Sequence, residues 1–133
     1  MNEAKFKQLV RKQWLPEYWS ECLELRDDLG FPDVHFLGPK GTVTLVEFKV
    51  VRQRDVRKEG FLIPWRRNQP VFAAEYVKHG GKVGALVLTP YTPLWLVVEP
   101  SVRWVRQVQR PLTLECPWFR KVDHSNIRDY IQE

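Results

Sequence analysis

The chain has 133 residues, room for one domain of ordinary size and not for a second catalytic one. Apolar residues make up 44% and charged residues 28%, ordinary globular usage that excludes wholesale disorder. Two cysteines, Cys22 and Cys116, lie too far apart for a zinc motif, and 21 basic against 16 acidic residues leave a net charge of +5 that favours anionic partners.

The amino-terminal run MNEAKFKQLVRKQWL is charged throughout and lacks the apolar core of a secretory signal. No apolar stretch is long enough to span a bilayer, so a cytoplasmic protein without a membrane partner is expected, with both cysteines as buried thiols. Phe6, Leu9, Val10 and Trp14 recur at helical spacing, with Asn2 as N-cap and Pro16 as stop. Tyr18 to Leu25 reads as a strand, Asp27, Asp28 and Gly30 as a turn, and Val34 to Leu37 as a short strand. Gly38 to Gly41 forms a hairpin loop into Thr42 to Val51, which is apolar or β-branched on both faces apart from Glu47 and Lys49 and is expected at the centre of a sheet.

Arg52 to Gly60 reads as a polar loop, and Arg66 to His79 as a helix closed by Gly80 and Gly81. Pro70 fits that helix only in its first turn, which places the start near Arg66 or Arg67. Lys82 to Leu88 and Leu94 to Val98 are strands joined by a proline-marked turn; Val102 to Val108 fits either period, and Ser125 caps a short closing helix with Ile127, Tyr130 and Ile131. This order predicts an α/β domain over residues 1–133, a central mixed sheet flanked by helices.

Charge is concentrated. Residues 49–67 hold seven basic and two acidic residues, the pattern of a phosphate-contacting surface made by Arg52, Arg54, Arg57, Lys58, Arg66 and Arg67. Trp65 lies within that stretch and is the one tryptophan of six read as touching DNA, the others being expected mostly in the core. His35, His79 and His124 are scattered and read as structural or solvated.

Period-two alternation puts Glu47 and Lys49 on one face of their strand, where two charges among apolar residues must be paired, solvated or functional. The hairpin brings Asp33 to the same region. Asp33 and Glu47 could share one Mg²⁺, a hard cation that prefers carboxylate oxygens, with Lys49 beside its bound water, an arrangement suited to phosphodiester hydrolysis. Without a cation the two acids repel, so removing either is expected to raise stability.

Pro32-Asp33 followed by Glu47-Phe48-Lys49 resembles the signature of PD-(D/E)xK nucleases. Glu3, Glu24, Gly30-Phe31-Pro32-Asp33, Gln69 and Gly80-Gly81 extend the resemblance to the small VRR-NUC nucleases of phages, over about residues 3–88, with residues 99–133 as an extension outside it. The resemblance implies a restriction-endonuclease-like fold and a Mg²⁺-dependent endonuclease, with Mn²⁺ as a substitute, similar to Holliday junction resolvases and acting in replication, recombination or repair. It implies that Asp33, Glu47 and the Phe48 carbonyl bind the metal, with Glu3 or Glu24 completing the set and Glu17 or Glu21 as further candidates. It assigns Lys49 to the attacking water and Gln69 to an assisting role. The expected partner is duplex or branched DNA, and a homodimer would match a symmetric junction. The alternative is a non-catalytic nucleic-acid-binding module on the same fold.

Overall fold

The computed structural model describes residues 1–23 and 30–131. It begins with helix α1 (Glu3–Leu9), whose N-cap Asn2 accepts a hydrogen bond from the Lys5 N–H at 2.8 Å, and which continues as a π-helical turn over Val10–Trp14. Strands β1 (Trp19–Cys22), β2 (Val34–Leu37) and β3 (Val43–Val50) follow. A 3₁₀ turn at Gln53–Asp55 leads into a two-stranded hairpin, β4 (Val56–Arg57) and β5 (Gly60–Phe61). Then come α2 (Gln69–Lys78), β6 (Val83–Leu88), β7 (Pro93–Val97), α3 (Val102–Gln107), β8 (Phe119–Lys121) and α4 (Arg128–Ile131).

Among the described residues six strands form one mixed sheet in the order β1-β2-β3-β6-β7-β8. Only β3 and β6 run parallel, joined through the hairpin and α2. Alternation along β3 divides the core. Val46 and Phe48 join Leu86 and Trp95 on one face, beneath Phe6 and Val10 of the first helical segment and Ile127 and Ile131 near the carboxyl end. Leu45, Ala85, Val87, Leu94 and Leu96 form the other face, covered by Ala73 and Ala74 of α2 and Trp104 of α3. The architecture is therefore α/β with helices on both faces of a central mixed sheet.

Several expectations are corrected. The polar segment after β3 is a structured turn and hairpin, clamped by reciprocal N–H to carbonyl bonds between Phe61 and Leu112 at 2.8 Å. Helix α2 starts at Gln69, two or three residues later than its polar flank implies, because Asn68 adopts a left-handed conformation (φ 69°) and Pro70 occupies the first turn. The closing turn is capped by Asp123, whose carboxylate accepts the Ser125 and Asn126 N–H groups, so Ser125 is a capped residue and not the cap. The segment that forms β8 carries too short and too polar a pattern to reveal a strand. Neither cysteine is buried: Cys22 is exposed on β1, where its sulfur accepts from Arg11, and Cys116 is half-buried. Leu25, Asp27 and Asp28 lie outside the described residues.

Candidate active site

The β2–β3 register builds the site. Val34 pairs with Val46 at the end of the ladder, and continuing that register sets Asp33 opposite Glu47 one step on and Pro32 opposite Phe48 two steps on. The Leu45 and Val51 N–H groups donate toward β6, to the carbonyls of Lys82 and Leu88, so the even-numbered residues of β3 turn their peptide groups toward β2. Phe48 is the first of these beyond the end of β2. Its N–H is taken by the Asp33 side chain (Oδ2, 2.9 Å), and proline at 32 has no N–H to offer the Phe48 carbonyl. Pro32-Asp33 thus replaces a rung of the ladder by a carboxylate.

Glu47 and Lys49 share the face of β3 beneath α2 and are only 5% and 3% exposed. Lys49 Nζ lies 3.9 Å from Glu47 Oε1, and that oxygen is buried without a hydrogen-bond partner. Burial, the hydrogen bond with Asp33 and the Asp33 charge push the Glu47 carboxyl up to about 10, against the opposing pull of Lys49. Burial also works against Asp33, yet its hydrogen bonds with Glu47 and the Phe48 N–H, and the charges of Lys7 and Lys49, hold its pKa below the ordinary value. Burial pulls Lys49 below its ordinary value; the charges of Glu47, Asp33 and Glu3 resist, and Arg66 assists. These opposite shifts favour a proton on the carboxyl pair, on the Glu47 side of it.

Lys7 was not expected at this site. It projects from α1, which packs on the opposite face through Phe6 against Phe48 (5.6 Å between ring centroids), and its ammonium bridges Asp33 Oδ1 at 3.6 Å and Glu3 Oε2 at 3.5 Å. The only sequence signal for it is the i,i+4 spacing from Glu3. Glu3 is thereby brought to the rim of the site. Glu24 lies outside the described residues; Glu17 is committed to Arg128 by paired bonds of 2.7 and 2.8 Å, and Glu21 is exposed on β1.

Gln69, at the start of α2, is buried, and its Oε1 accepts the Arg66 N–H at 2.7 Å. It lines, with Glu47 and Trp65, a cavity of about 10 Å³. Gly30 explains how α2 comes so close: its φ is +74°, and a Cβ there would collide with the Asn68 carbonyl. Trp65 is half-buried and donates its indole N–H to the Val108 carbonyl at 2.8 Å, tying this segment to α3. Arg66 and Arg67 are exposed at the turn before α2, and Arg52, Arg54, Arg57 and Lys58 are exposed on the 3₁₀ turn and hairpin after β3. Trp95, Trp104 and Trp118 are core, Trp14 is half-buried and Trp19 is exposed. Of the histidines, His35 is half-buried against Trp19, and His79 and His124 are exposed.

Among the described residues no three His, Cys, Asp or Glu side chains gather as a metal cluster. The donors at hand are two carboxylates and the Phe48 carbonyl, all oxygen, with Glu47 Oε1 unsatisfied. That set fits a hard divalent cation retaining several waters, as Mg²⁺ does, and does not fit a soft metal. No protein-family model matches the chain, and no curated protein matches it significantly.

Proposed function

We propose that this chain is a metal-dependent nuclease that hydrolyses phosphodiester bonds in DNA, on a restriction-endonuclease-like version of the mixed α/β sheet. The observation that carries the reading is the buried pair of Glu47 and Lys49 beside the half-buried Asp33, with Glu47 Oε1 unpartnered 3.9 Å from the Lys49 ammonium. Burying an ion pair with one oxygen left without a hydrogen bond costs free energy in a core. Its position also favours chemistry, because it lies toward the carboxyl ends of β3 and β6, the parallel pair.

Asp33, Glu47 and the Phe48 carbonyl would hold Mg²⁺ or Mn²⁺. When bound, the ion supplies Lewis acidity to a phosphoryl oxygen and acidifies its water. Glu47 must release its proton for this, and the neighbouring Lys49 charge favours that release. Lys49, held rigid by burial, then stands as the cation beside the developing negative charge, a role exerted in the transition state. Gln69 positions: its bond to the Arg66 N–H fixes the turn that presents Arg66 and Arg67 next to the site. Water is excluded from the α2 side by Trp65, Ala73 and Trp104.

The test is incubation with plasmid and with a four-way junction in Mg²⁺, Mn²⁺ or EDTA, alongside Asp33→Asn and Glu47→Gln. Metal-dependent cleavage by the parent and none by the variants is expected; variants that cleave at the parental rate would show the site to be misassigned. A second reading is a nucleic-acid-binding module without catalysis, favoured by the engagement of the Asp33 carboxylate with the Phe48 N–H and Lys7. Binding that persists in EDTA, with no cleavage in either metal, would select it.

A further inference from the structure

A second concave feature lies at the same strand ends. β3 and β6 finish side by side, with the Val51 N–H bonded to the Leu88 carbonyl at 2.8 Å. The β4–β5 hairpin follows one and the β6–β7 turn the other. Between them is a groove of about 330 Å³, within the size range of small-ligand sites, with Phe61 and Leu114 as its apolar lining and Tyr91, Arg57 and Lys58 among its walls.

Its walls are stiff. The Thr89 hydroxyl is buried, accepts the Tyr91 and Thr92 N–H groups at 3.1 and 3.0 Å, and donates to the Thr92 carbonyl at 2.8 Å. That closed set of bonds, with Pro90, presents Tyr91 at the turn tip 70% exposed, the most exposed large aromatic of the described chain. Arg57 is oriented by bonds from Nη1 to the Arg54 and Val56 carbonyls at 2.7 and 3.1 Å. Gly60, at φ +145°, is pressed against Leu112, where a Cβ would collide with the carbonyl, and the paired Phe61–Leu112 backbone bonds tie the hairpin there. A ring held in water by a locked turn contributes nothing to the core and is ready to stack without an ordering cost.

We infer that this groove receives one unpaired nucleotide of a DNA strand, its base stacked on Tyr91 and its phosphate held by Arg57 and Lys58. Glu59 and Glu115 also line the groove. They repel phosphate from their side and can accept from the exocyclic amino groups of a base, which orients the nucleotide. The inference deepens the proposed function and rests on its nucleic-acid partner, though not on cleavage. It names the substrate class: DNA with single-stranded character beside the scissile bond, because a fully paired base offers no free face for stacking.

The experiment is fluorescence anisotropy in EDTA with a blunt duplex and with the same duplex bearing a five-nucleotide overhang containing 2-aminopurine. The parent, Tyr91→Phe and Tyr91→Ala are compared; the exposure of Tyr91 leaves the fold of each intact. Tyr91→Ala should weaken overhang binding roughly tenfold and abolish 2-aminopurine quenching, Tyr91→Phe should retain both, and blunt-duplex affinity should not change. Equal losses on both DNAs, or none on either, would overturn the groove as a nucleotide site while leaving DNA binding in place. A parent that binds neither DNA would overturn this inference together with the proposed partner. Absence of plasmid cleavage with overhang binding intact would strike only the nuclease reading.

Discussion

Glu47→Gln tests the electrostatics of the site most directly, because the two side chains differ in little but charge. Glu47 is 5% exposed and its carboxyl is raised from 4.5 to about 10. A folded-state pKa above the unfolded one means that the native protein holds a proton the unfolded chain gives up. Its contribution to stability is complete below pH 4.5 and is lost as pH rises toward 10. One proton over the interval from pH 4.5 to 7 corresponds to about 3 kcal/mol, reduced to roughly 1–3 kcal/mol when the charge is shared with Asp33 and Lys49. Asp33 adds no slope here, since its depressed pKa matters only as pH falls below the ordinary aspartate range. Lys49, lowered from 10.5, acts in the opposite sense and from the alkaline side. Urea unfolding in EDTA at pH 5, 6, 7 and 8 should therefore show parent and Glu47→Gln nearly equal at pH 5, with the variant gaining about 1–3 kcal/mol by pH 7. Parallel curves, or a variant that is less stable at pH 8, would refute a proton held on Glu47.

Asp33→Asn should behave oppositely and lose about 1 kcal/mol in EDTA, since it weakens the bonds to the Phe48 N–H and Lys7; the same unfolding series measures it. Metal binding must displace the Glu47 proton, so Mn²⁺ affinity should rise up to about tenfold per pH unit between pH 6 and 8, with release of one proton detectable by calorimetry in buffers of different ionisation enthalpy. Lys7→Met removes a partly exposed cation 3.6 Å from Asp33 and should tighten Mn²⁺ binding roughly fivefold, about 1 kcal/mol, in the same calorimetry. Lys49→Ala should cut turnover at saturating metal and DNA while DNA affinity holds, whereas full activity at saturation would remove it from the catalytic set. Neutralising Arg52, Arg54, Arg57 and Lys58 together should lower duplex affinity and reduce the slope of log affinity against log salt by roughly 0.9 for each phosphate that is no longer neutralised.

The strands that carry a strong periodic signal are legible in the sequence: Val34–Leu37 matches β2 residue for residue, and Thr42 to Val51 encloses β3. Their register supplies Asp33, Glu47 and Lys49 because a short hairpin leaves little freedom in pairing. What stays hidden depends on the meeting of distant segments. Neither the collision that only glycine at 30 avoids nor the left-handed Asn68 is visible in local pattern, and together they fix where α2 begins. Lys7 has no signal beyond a helical spacing shared by many surface lysines. Symmetry between the two acids is the natural expectation from sequence, and it fails because Asp33 meets a backbone donor and Lys7 at the end of β2, whereas Glu47 is enclosed beneath α2.

That asymmetry links the fold to its proposed chemistry. Were both carboxylates solvated, each would ionise near its ordinary pKa and a divalent cation would gain little over water. Were both enclosed, two buried charges would threaten the sheet. Here Asp33 keeps its charge because its carboxylate accepts the Phe48 N–H of β3 just beyond the end of β2, and Lys7 neutralises it from across the sheet. Glu47 gives up its charge to the core and keeps one oxygen unpartnered. Asp33 would offer a bound cation an already ionised carboxylate, and Glu47 would join it as a ligand only in its deprotonated form. The resting protein tolerates the burial of Glu47 because its carboxyl favours the neutral form there, and the positive charge of a cation would offset the loss of that proton.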